Sequence, residues 1–112
     1  GGVDALISAL HRFPDDSWAQ GHTMRALAES TAPTAAGRRI DAGDVALAAE
    51  GPAATAALLA LGIHAADAWV RGHACRLLEN IASFGGEVSR GVIQERMSGQ
   101  GVAGACDPPS AA

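Results

Sequence analysis

A chain of 112 residues is one domain's worth of sequence, and its apolar share of 48% is enough for a core, although much of that share is alanine, which favours helix and buries little area. The net charge of −4 leaves no clustered positive charge for a nucleic-acid footprint, and the apolar stretch Ala53 to Ile63 is too short to span a membrane. All eight basic residues are arginine, a mark of GC-rich coding. The chain opens on Gly1-Gly2 without methionine, so it is expected to be a portion or a processed form of a longer product.

The first predicted element runs from Val3 to His11, where Val3, Leu6, Ile7 and Leu10 fall at i, i+3, i+4 and i+7 on one helix face. Phe13-Pro14 ends it, because proline disfavours helical geometry in the residue before it. Asp15 or Asp16 then caps a second helix reaching about Ser30, with Ala19, Thr23, Ala26, Leu27 and Ser30 on its apolar side and Gln20, Arg25 and Glu29 elsewhere. Thr31-Ala32-Pro33-Thr34 is a break. Ala35 to Ala42 reads as a short helix ending at Gly43.

Alanine-rich helix follows from Asp44 to Leu61, interrupted by Gly51-Pro52, where the proline suits the first turn of a new helix. Gly62 to Ala66 is a loop. Asp67 caps a helix to Ser83 with Val70, Ala74, Leu77, Leu78 and Ile81 apolar, and Gly85-Gly86 stops it. Glu87 to Met97 reads as a last short helix with Val88, Val92 and Ile93 inward. Residues 98–112 are rich in Gly, Ala and Pro and read as a flexible tail. Cys75 and Cys106 sit in such different settings that a disulfide is not expected; Cys75 reads as a small buried residue and Cys106 as an idle tail thiol.

One feature organises these elements. The segment Trp18-Ala19-Gln20-Gly21-His22-Thr23-Met24-Arg25-Ala26-Leu27 returns 51 positions later as Trp69-Val70-Arg71-Gly72-His73-Ala74-Cys75-Arg76-Leu77-Leu78. Ala5, Ala9, Leu10 and Asp16 find Ala56, Ala60, Leu61 and Asp67 at the same offset. A period of this size signals stacked helical units, each burying its apolar face on its neighbour.

Val70, Ala74, Leu78, Asn80, Ile81 and Ala82 along the second long helix resemble the pattern of an armadillo repeat. Gly1 to Leu6 is similar to the opening of that family's second helix, and Arg39 to Gly43 to its first. The resemblance covers residues 1 to about 97 and implies an all-α, right-handed α-solenoid of about two repeats (1–42 and 43–97) plus a partial third. It is moderately specific, since helical repeats of the HEAT type share much of the spacing. It also implies binding of extended peptides along the long helices. In importin-like members a tryptophan and, one turn later, an asparagine line that groove. Here the asparagine position falls on Asn80 and Glu29, and the tryptophan position on Arg76 and Arg25. Arginines would repel the basic side chains that stacked tryptophans hold, so an acidic or polar partner segment is expected instead.

Trp18 and Trp69, each one turn before His22 and His73, read either as packing between units or as hot spots for a partner. The two histidines do not read as a metal site: neighbouring helices sit roughly 8–10 Å apart and ligand bonds are about 2 Å, and no further ligand completes a set. His11 and His64 read as helix-end residues with no partner. Arg25, Glu29, Arg76 and Asn80 form the polar stripe of the candidate groove. Arg38-Arg39 is too short a basic run to carry a reading. No paired carboxylate, activated nucleophile or phosphate-cradling loop is visible, and Gly85-Gly86 and Gly99-Gln100-Gly101 lack the strand a nucleotide loop needs.

The sequence therefore reads as a non-catalytic module for a protein or peptide partner, without metal or cofactor. The second reading is an accessory subunit docked in a large assembly, an organellar membrane complex included, where docking replaces missing repeats.

Overall fold

The computed structural model describes residues 2–31 and 47–106. The helix expected over Ala35 to Ala42, the break at 32–34, Arg38-Arg39 and the far tail at 107–112 lie outside these. Among the described residues the chain is helical with no strand: α1 (Gly2–Arg12), α2 (Ser17–Thr31), α3 (Pro52–Ile63) and α4 (Ala68–Gly99).

Each boundary has a local cause. Ile7 and Leu10 of α1 are buried, with Val3 and Leu6 packed against them, as the periodicity requires. Past Pro14, the Asp16 carboxylate accepts from the Ala19 amide at 3.1 Å and satisfies one of the free N–H groups at the start of α2. Pro52 opens α3 after an extended Gly51. Asp67 caps α4 by accepting from the amides of Trp69 (3.0 Å) and Val70 (3.2 Å). Helix α4 is broken at Gly86, whose φ of 66° and ψ of −146° suit only a residue without a β-carbon. The expected stop at Gly85-Gly86 is thus an interruption, after which helix resumes to Gly99.

The elements form two helical hairpins, α1 with α2 and α3 with α4; the end of α1 at Arg12 and the start of α2 at Ser17 return at the repeat offset as the end of α3 at Ile63 and the start of α4 at Ala68, whereas α4 runs on well past the counterpart of Thr31. The hairpins lie side by side with like against like, α1 on α3 and α2 on α4. Alanines at 53, 54, 56, 57 and 60 of α3 are all buried against the neighbouring helices, while Leu59 and Ile63 remain exposed on its outer side. The segment after Gly86 closes over the start of α3. Its Ile93 and Met97 join the core, and the Arg96 guanidinium donates to the Ala49 carbonyl at 2.7 Å and the Thr55 hydroxyl at 2.9 Å.

Five expectations are corrected. The buried face of α2 is Gln20, Met24, Leu27, Ala28 and Thr31, rotated by about one residue from the stripe read in sequence. Two of these are polar, and each is satisfied within the first hairpin: the Gln20 amide donates to the Leu10 and Phe13 carbonyls at the end of α1, both at 2.9 Å, and the Thr31 hydroxyl to the Leu27 carbonyl at 2.8 Å. A satisfied polar group costs little to bury, so polarity misreports the face. Val88 points outward, 79% exposed, because the break at Gly86 resets the helical phase.

The beginning of the tail is packed, with Val102, Ala105 and Cys106 against the core. The expected free thiols are paired: Cys75 and Cys106 form a disulfide across a Cα separation of 5.4 Å. Finally, His11 and His64 have partners. Nε2 of His64 donates to the Pro14 carbonyl at 2.9 Å and Nε2 of His11 to the Pro52 carbonyl at 3.2 Å, so each hairpin holds a backbone carbonyl of the other.

Candidate partner-binding surface

The repeated tryptophans and histidines come together on the face where α2 meets α4. Within each helix, tryptophan and histidine are four residues apart and share a side. Stacking α4 against α2 joins the two pairs end to end into one row through the His22–Trp69 contact. Ring centroids are 4.5 Å apart for Trp18–His22, 4.9 Å for His22–Trp69 and 5.7 Å for Trp69–His73. The tilted and edge-to-face angles, 53°, 74° and 83°, let each ring offer its edge to a neighbouring face. Trp69 bridges the two imidazoles. Among the described residues, no group of three or more His, Cys, Asp or Glu gathers as metal ligands would.

The row is open to solvent, with Trp18 68% and Trp69 40% exposed. Trp69 is the better held because its ring lies over Gly21, where an added β-carbon would meet Cε3 and Cη2 at 2.6 Å. Gly72, its twin in the second hairpin, faces open space.

Charge flanks the row on one side. Arg25 pairs with Glu29 at 3.2 Å, both side chains more than half exposed, a contact contributing about 0.3–0.5 kcal/mol. Arg76 is exposed and has no ion-pair partner among the described residues. Partial burial, then the nearby Arg25 and Arg76 guanidiniums and to a lesser degree His22, hold the His73 imidazole below its usual value of 6.5; Glu29 opposes them. His73 is therefore biased towards the neutral form in a locally positive field.

Compared with protein-family models, curated sequences and solved structures, the chain matches none. What the surface can do is carried by its own geometry.

The eight candidate residues divide accordingly. Trp18, His22, Trp69 and His73 form the row, and Arg25, Glu29 and Arg76 lie beside it. Asn80 does not line an open groove. Its side chain is buried, and its amide donates to the Ala28 carbonyl at 2.9 Å and the Thr31 hydroxyl at 3.2 Å, tying α4 to α2. An asparagine in a helix face cannot be told from a groove ligand until the neighbouring helix is in place.

Residues that sequence reasoning passed over include Gly21, Gln20, His11 and His64. Only Gly21 carried a usable signal: a glycine inside a helix costs about 1 kcal/mol relative to alanine, and paying that twice in register asks for a packing reason. No described helix is long and apolar enough to cross a membrane.

Proposed function

We propose that this chain is a non-catalytic, protein-binding module of the armadillo-like α-solenoid kind, whose recognition surface is the Trp18–His22–Trp69–His73 row with Arg25 and Arg76 beside it. The partner is an extended segment of acidic or polar character. The single observation carrying this reading is the solvent-open row itself: two large indoles left 68% and 40% exposed, next to an arginine that has no ion-pair partner among the described residues.

Tryptophan and arginine are the residues that contribute most per contact when buried by a partner, and here they adjoin on one face. The like-on-like stacking of the two hairpins supports the solenoid part of the reading, since it is the arrangement by which tandem units share one core. Electrostatics gives the partner's sign. A cationic segment would meet Arg76 and Arg25, whereas an anionic one gains charge-assisted hydrogen bonds to guanidinium.

Panning a displayed library of extended peptides against the immobilised chain tests this. Asp- and Glu-rich sequences should be enriched, and their affinity should fall about tenfold with Arg76→Ala or Trp18→Ala and weaken with salt. Enrichment without charge bias, or binders indifferent to both substitutions, would overturn it.

A further inference from the structure

The two ends of the aromatic row are complementary to each other. Inside the chain, Trp69 of the second hairpin rests on Gly21 of the first and packs against His22. The repeat carries Gly21 to Gly72 and His22 to His73 at the same offset that carries Trp18 to Trp69. One more step of this stacking would lay an indole on Gly72 beside His73. None of the described residues supplies it: a β-carbon built on Gly72 meets no heavy atom within 4 Å. At the opposite end Trp18 is 68% exposed, and its one ring contact among the described residues is His22 of its own helix.

We propose that copies of this chain associate head to tail, with Trp18 of one copy seated on Gly72 against His73 of the next. The argument is one of continuity: the contact already made between the hairpins is repeated between molecules. The seat requires a glycine there, and Gly72 is a glycine in an exposed helix where packing within the chain gives no reason for one. The disulfide-held tail lies at Cys75, about one turn further along α4, so the contact is confined to the first turns of that helix. It is consequently small, and the association weak and dependent on concentration. Because the two surfaces differ, the interface is heterologous and does not close on itself in a dimer. This inference needs only the geometry of the row, and it stands or falls apart from the peptide-binding reading.

Sedimentation velocity of the intact, oxidised chain from about 10 µM to about 1 mM tests it, over the range in which contacts of this size become populated. The wild-type chain should shift progressively to dimers and longer species. Gly72→Leu fills the seat without touching the chain's own packing, and Trp18→Ala removes the knob; each alone should weaken association by about tenfold or more. Mixed together, the two variants should form dimers and nothing longer, since one keeps the seat and the other the knob. Circular dichroism monitors folding, and Gly72→Leu carries the test alone should Trp18→Ala lose helicity. A monomer at every concentration, association that survives Gly72→Leu, or a mixture that stays monomeric would overturn the proposal. Peptide capture is measured at low concentration on the monomer, so failure of one reading is distinct from failure of the other.

Discussion

The Trp69 indole occupies the place where a side chain on Gly21 would have been, so the contact between α2 and α4 depends on the absence of one β-carbon. Large and absent side chains are thus matched across the two hairpins, and the match leaves Trp69 shared between His22 and His73.

Gly21 and Gly72 occupy the same place in the repeat yet should respond oppositely to substitution. Gly21→Val forces the Trp69 ring off its seat and should lower stability by about 1–3 kcal/mol, as overpacking does. Gly72→Ala relieves the conformational cost of glycine in an exposed helix and should raise stability by about 0.5–1 kcal/mol. Urea denaturation of both variants checks this; shifts of the same sign would show that the Trp69 contact is not maintained in solution.

Trp69→Ala should cost more than Trp18→Ala. Trp69 is held by Gly21 and two imidazoles, whereas Trp18 touches one imidazole and leaves 68% of its surface in water. The area withdrawn from water sets the difference, about 1–3 kcal/mol for Trp69 and under about 1 kcal/mol for Trp18. Equal melting shifts would contradict the unequal burial.

Stability should fall on acidification through His73. Its imidazole is held below 6.5 in the fold by burial, then by Arg25 and Arg76, so the unfolded chain binds the proton more readily. The contribution is fully present above the unfolded value and is lost as pH falls below 6.5 towards the folded value. Melting temperatures between about pH 8 and pH 5 should decline less for His73→Gln than for the wild-type chain. An unchanged slope in that variant would remove His73 as the cause.

Reducing the Cys75–Cys106 disulfide should release residues 100–106 without disturbing the row. The cross-link spans 31 residues, and its loss should cost about 2–4 kcal/mol through the entropy regained by the unfolded chain. Limited proteolysis with and without reductant should show new cleavage between Gly99 and Cys106, while tryptophan emission of the folded chain stays constant. Unaltered cleavage would mean that packing of Val102 and Ala105 holds the tail unaided.

Much of the architecture was legible in the chain of residues itself. The i, i+3, i+4 spacing of Val3, Leu6, Ile7 and Leu10, the capping aspartates and the helix-opening Pro52 are local effects, and local effects are encoded within a few neighbouring residues. The repeat also announced that the tryptophans and histidines occupy equivalent places in two helices. Their meeting in one row could not be read there, because the sequence does not say at what height α4 sits against α2.

Tertiary structure decided what depends on distance between remote residues. It buried Gln20 against carbonyls of a preceding turn, committed Asn80 to α2 rather than to solvent, turned His11 and His64 into clasps between hairpins, and brought Cys106 back to Cys75. Each of these is a polar or sulfur group whose preferred surroundings differ according to whether a partner is within reach. A sequence fixes a residue's chemistry and its helical phase. Whether that chemistry is spent inside the fold or left exposed for a partner is settled only when the helices pack.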